Sequence, residues 1–211
     1  IVFVTADKGL CGGFNMATIK TVSKMIAEYE AKGTKVRLRA AGRKGVDYFT
    51  FQGMTLEQKV SDLSSAPDYD RAADFINDVV EDFKNEVTDK VVVVYNGFLN
   101  MLAQEIRVRE LLPISLETVE VKEASSMLNI EPDDDEEVLN ELTGKYIDFN
   151  MYYALIDSLA AEHSARMQAM EAATKNAKEK VNSLTVEYNK ARQAAITTEL
   201  IEIISGVEAL K

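Results

Sequence analysis

The chain has 211 residues, 28% of them charged, and a formal net charge of −11. Nucleic acid and anionic lipid would both repel so acidic a surface, so neither is expected as a direct partner, and no run of about 18 apolar residues offers a membrane span. A single cysteine, Cys11, rules out an internal disulfide framework and fits a reducing compartment.

Ile1 to Ala6 is a β-branched and aromatic run that gives way to Asp7-Lys8-Gly9-Leu10-Cys11-Gly12-Gly13, after which helical spacing begins at Phe14. That order is strand, glycine loop, helix. The helix turns Met16, Ile19, Val22, Ile26 and Tyr29 to one side and stops at Lys32-Gly33. Val36 to Ala41 reads as a second strand, followed by a short helix to about Phe51 and a short strand from Thr55 to Val60. Ser64 to Asp68 reads as a loop and helix cap, and Tyr69 to Glu86 as an amphipathic helix. Four consecutive valines, Val91 to Val94, predict a strand buried on both faces at the centre of a parallel sheet. Gln104 to Ile114 alternates polar and apolar residues, as a half-exposed edge strand does. The fold class is therefore α/β: a mostly parallel, doubly wound, Rossmann-like sheet flanked by helices.

From Glu120 to Leu142 the chain is acidic, with Glu131-Pro132-Asp133-Asp134-Asp135-Glu136-Glu137 at its heart. It lacks the spaced oxygens and central glycine of a calcium loop, so a solvated loop capping a short helix from Glu136 to about Leu142 is expected. From Ile147 to Leu210 there is no proline and one late glycine, Gly206, which predicts one very long helix. At ~1.5 Å per residue it would extend about 95 Å. Stepping by four and three from Ile156 meets Ala160, His163, Met167, Met170, Thr174, Ala177, Val181, Leu184, Tyr188, Ala191, Ala195 and Thr198, an unbroken heptad track. Its narrow, small-residued seam suits one close partner helix, and no other predicted helix is long enough. With the chain opening directly on a strand, an upstream helix is expected as the lost partner. The domain division expected is residues 1–146, an α/β domain including the acidic loop 131–137, and residues 147–211, one half of an antiparallel coiled coil.

Little here carries chemistry. The loop glycines Gly9, Gly12 and Gly13 match neither G-x-G-x-x-G nor G-x-x-x-x-G-K-[ST], so they read as structural glycines that allow a tight turn at positive φ. His163 is the one histidine and lies on the heptad track, where packing at the seam is expected; alone it makes no zinc site and serves no Cys11 nucleophile. No catalytic residue, cofactor or metal ligand is assigned.

Two segments resemble the gamma subunit of F-type ATP synthases. Val4-Thr5-Ala6-Asp7-Lys8-Gly9-Leu10-Cys11-Gly12-Gly13-Phe14-Asn15 resembles the strand and loop after that family's first helix. Ile196-Thr197-Thr198-Glu199-Leu200-Ile201-Glu202-Ile203-Ile204-Ser205-Gly206, preceded by Tyr188 to Ala195, resembles its terminal signature, departing at Val207 where alanine is usual. Glu162 to Met170 is similar as well, and matching is loose between about Gly33 and Val87. The resemblance implies a non-catalytic central-stalk rotor whose coiled coil sits within a ring of alpha and beta subunits. It implies too that the α/β foot docks the epsilon subunit and the c-subunit ring, on the cytoplasmic face of a bacterial plasma membrane. Arg192, Gln193 and Thr197 are the implied beta-subunit contacts, and Ile156, Met167, Met170, Val181, Leu184 and Tyr188 the large residues of the seam. Self-association of the chain through this helix is expected if its partner is missing. The rival readings are a coiled-coil adaptor, which needs no ring of partners, and a nucleotide-binding α/β enzyme, which needs a phosphate loop that is absent.

Overall fold

The computed structural model describes residues 1–114 and 135–210. Among the described residues, five strands and four helices follow one another: β1 (Val2–Val4), α1 (Phe14–Ala31), β2 (Arg39–Ala41), α2 (Arg43–Phe51), β3 (Gln58–Val60), α3 (Tyr69–Lys84), β4 (Val91–Asn100), β5 (Ala103–Leu112) and α4 (Asp135–Ala209). They fall into two compact units, Ile1–Gln168 and Ala169–Lys211.

In the first unit the strands form one sheet in the order β3-β2-β1-β4-β5. The first four are parallel, and β5 runs antiparallel to β4 at the edge. The middle strand is β1, not the valine run. Val91 to Val94 lie one strand over, still buried on both faces, because β4 is covered by helices above and below and flanked by β1 and β5. The second strand is also shorter than the Val36 to Ala41 run predicted. Only Arg39–Ala41 has register partners in β1 and β3 together, and a ladder ends where its neighbours do.

Alternation along the strands divides the core. Val2, Val4, Val91, Val93 and Tyr95 point to one face, where Phe75, Ile76 and Val79 of α3 and Ile147, Met151, Ala154 and Leu155 of α4 meet them. Phe3, Val92 and Val94 point to the other, against Ile19, Val22 and Ile26 of α1 and Phe49 of α2. Helix α1 ends because Gly33 takes φ +76, its N–H bonding back to Glu30. Helix α3 starts at Asp68, whose carboxylate accepts the Arg71 N–H at 3.0 Å.

Helix α4 begins at Asp135, not near Ile147. The helix expected from Glu136 to about Leu142 is its first two turns, whereas residues 131–134 of the acidic loop lie outside the described residues. Its stretch up to Gln168 belongs to the first unit. The reason is a second apolar stripe, Ile147, Met151, Ala154, Leu155, Ala161 and Ala165, buried on a side of the helix other than the heptad track. Gly144 within it faces open space and costs only about 1 kcal/mol against alanine, too little to break a helix held by tertiary packing.

Candidate functional site

In a doubly wound sheet, ligands bind outside the carboxyl ends of the strands where the strand order reverses. Here that point lies between β1 and β4. The space is filled by the protein itself. Ala6, Cys11 and Phe14 from the glycine loop and the start of α1 pack against Ala161 and Ala165 of α4, with Phe98 alongside. The Asn15 amide oxygen accepts the Ala6 N–H at 2.8 Å, and its amide nitrogen donates to Cys11 Sγ at 3.3 Å. Glu162 is buried over this loop and paired with Arg166, which donates to the Gly9 carbonyl at 3.4 Å.

The other helix N-terminus beside this crevice is satisfied from within as well. Asp7 Oδ1 accepts the Arg43 N–H at 2.9 Å, and Asp7 Oδ2 accepts the Ser64 hydroxyl at 2.8 Å. Thr5 Oγ1 accepts the Gly45 N–H at 2.9 Å and donates to the Gly42 carbonyl at 3.2 Å. An anion at the start of α2 would compete with a carboxylate already bound there. Burial pushes the Asp7 pKa up, yet the hydrogen bonds from Arg43, Ser64, Asp62 and Ser65 together outweigh it and leave the carboxyl below its ordinary 3.8. Cys11 is buried; desolvation first, and then the negative charge of Glu162, raises its thiol above 9.0. A thiol held protonated is a poor nucleophile.

Of the three loop glycines only Gly12 has positive φ, at +58, while Leu10 takes +64 and Gly13 lies at −82. Gly9 serves through its carbonyl. The glycines that close approach demands are elsewhere. A Cβ on Gly42 would fall 1.8 Å from the Thr5 carbonyl oxygen, and one on Gly45 would lie 2.6 Å from the Phe3 ring. Among the described residues, no three His, Cys, Asp or Glu side chains converge to hold a metal ion.

The seam residues all sit on α4, and all are exposed: Ile156, Met167, Met170, Val181, Leu184 and Tyr188. His163 is exposed too and packs against nothing that would cover it among the described residues. In the second unit every residue with described burial from 171 on is exposed. Arg192 and Gln193 project from it, and the Thr197 hydroxyl donates to the Gln193 carbonyl at 2.8 Å. What sequence reasoning missed is the polar contact set on the buried side of α4, above all Asp157, Ser164 and Gln168. Their spacing carries no motif.

The ligand crevice of this fold is filled by its own helix, while another face of that helix stays apolar and open. The family described as ATP synthase matches residues 1–210. The ATP synthase gamma chain of Aliarcobacter butzleri is 87% identical, over all of this chain and 72% of its own length. That of Wolinella succinogenes is 62% identical, over all of this chain and 71% of its own. Among solved structures, a chain of the Euglena gracilis mitochondrial ATP synthase superposes with a TM-score of 0.72 at 21% identity, covering 99% of this chain and 71% of that one. One from the central stalk and c-ring of the Tetrahymena thermophila enzyme gives 0.64 at 24% identity, covering 82% and 75%. This chain belongs to the ATP synthase gamma chain family. Gamma chains are non-catalytic subunits of a membrane-associated complex.

Proposed function

We propose that this chain turns as the central-stalk rotor of an F-type ATP synthase, coupling ion translocation through a membrane ring to ATP synthesis and hydrolysis in a ring of alpha and beta subunits. The observation that carries this is the 87% identity, along the entire chain, to a gamma chain. In this reading the α/β unit is the foot, which engages the c-subunit ring and the epsilon subunit on the cytoplasmic face of a bacterial plasma membrane. The track Ile156, Met167, Met170, Val181, Leu184 and Tyr188 is one side of a coiled coil, and its exposure leaves it open to a partner helix. Residues from Ile147 on supply the coiled-coil half, while the stretch buried on the sheet doubles as the joint to the foot.

Arg192, Gln193 and Thr197 are the contacts to the beta subunits. An exposed guanidinium and amide suit this role because they hydrogen-bond carboxylates and carbonyls of a surrounding loop and release them as the helix turns. The test is reconstitution of the synthase into vesicles with and without the gamma chain, and with Arg192→Ala/Gln193→Ala. Loss of ATP-driven ion pumping without the chain, and weakened pumping in the double variant, are expected. Pumping that persists without the chain contradicts the reading.

A further inference from the structure

Apolar burial selects which face of a helix lies on a sheet, but such contacts have no direction and leave small rolls and slides to other bonds. The last stretch of α4 within the first unit carries something more: a row of directional bonds, most of them to the β4–β5 hairpin. Asp157 Oδ1 accepts the Phe98 N–H at 3.1 Å, and Asp157 Oδ2 accepts from Arg107 Nη1 at 2.5 Å. Two turns further on, the Ser164 hydroxyl donates to the Met101 carbonyl at 2.8 Å, and the Gln168 amide donates to the same oxygen at 2.6 Å. All these residues are at least partly sheltered except at the hairpin tip, where Met101 and Leu102 are exposed.

Gly97 leaves room for this arrangement. A Cβ there would lie 2.7 Å from Arg107 Nε and 2.8 Å from Asp157 Oδ2. Glycine inside a strand weakens it, and is kept where something must approach closely. Here that something is the ion pair between β5 and α4.

We propose that the β4–β5 hairpin is a torque clamp. Asp157, Arg107, Ser164 and Gln168 are positioning residues that stop α4 from rolling or sliding over the sheet, so that rotation of the α/β unit and rotation of the helix stay locked together. Turning the helix by one residue, about 100°, would break every bond in the row at once. This inference rests on the rotor reading.

The test uses synthase assembled with the full-length gamma chain and reconstituted in vesicles, with ATP hydrolysis, ion pumping and gamma content measured on each preparation. Asp157→Ala is expected to leave gamma content and hydrolysis at the wild-type level while pumping per ATP falls at least twofold. Ser164→Ala/Gln168→Ala, which spares the ion pair, lowers it in the same direction. Asp157→Asn, which keeps an acceptor for the Phe98 N–H, recovers part of the loss. Unchanged pumping per ATP in both Asp157→Ala and the double variant overturns the clamp, and so does a fall that only tracks lost gamma chain. Vesicles lacking the gamma chain that pump as well as wild type would instead overturn the rotor reading.

Discussion

Gly42 and Thr5 approach so closely that any side chain at position 42 would collide with backbone: its Cβ would lie 1.8 Å from the Thr5 carbonyl oxygen and 2.9 Å from Oγ1. The φ of +106 at Gly42 adds strain that only glycine escapes. This contact joins β1 to the start of α2, and through Thr5 and Asp7 it seals one wall of the filled crevice. We expect Gly42→Ala to destabilise the α/β unit by roughly 3 kcal/mol or more. Gly53→Ala, at φ +76 but with nothing within 4 Å, should cost only about 1–2 kcal/mol. Denaturant unfolding of the two variants checks the difference; equal losses would show that the close contact is not what matters.

Leu155 tests which face of α4 is core. It is fully buried against the sheet, whereas Leu184 is exposed. Leu155→Ala should cost about 2–5 kcal/mol in the unfolding of the first unit, the usual range for a buried leucine. Leu184→Ala, a surface change, should stay within about 0.5 kcal/mol in the isolated chain. A small effect at Leu155 would mean that the helix only rests on the sheet.

The order and type of most elements are legible because each has a local cause. The valine run reads as a buried strand, Lys32-Gly33 as a helix stop, Asp68 as a cap and the polar alternation after Gln104 as an edge. The joint between sheet and long helix is not legible, since α4 carries two stripes at once. The track through Ile156 follows a strict heptad and is conspicuous, whereas Met151, Leu155 and Ala161 belong to a shorter stripe that only the sheet explains. The same blindness hides Gly42, Gly45 and Gly97, whose neighbours come from distant segments, while the clustered glycines of residues 9–13 draw attention and contribute one positive φ. His163 is exposed like the large seam residues of the heptad track it lies on.

Asp7 gives a pH signature. Its folded pKa is lowered below 3.8 because the bonds from Arg43, Ser64, Asp62 and Ser65 together outweigh burial. A depressed carboxylate contributes stability above its unfolded pKa, and that contribution is lost as pH falls through the folded value. Asp7→Asn should therefore be less stable than wild type at pH 7, with the gap closing as pH drops below 3.8. Urea titrations at pH 7, 4 and 3 provide the check; a gap independent of pH would mean that the ionised form is not what the site holds.

The open track on α4 has a consequence for the 211-residue chain studied alone. Val181, Leu184 and Tyr188 face water, and apolar stripes of this kind are ordinarily covered. We expect the chain to associate with a second copy through them, as an antiparallel pair, and Val181→Asp/Leu184→Asp to keep it monomeric. Solution scattering over a concentration series distinguishes the two. A monomer at every concentration whose helix remains intact would show that the seam needs no partner.

The most direct measurement is rotation itself. Phe51 is 88% exposed and Cys11 is buried, so Phe51→Cys gives an accessible thiol on the α/β unit for a visible probe. With the alpha and beta ring immobilised and the full-length gamma chain carrying the probe, adding ATP should drive continuous rotation in one direction. A probe that stays still while the same particles hydrolyse ATP would contradict a rotor.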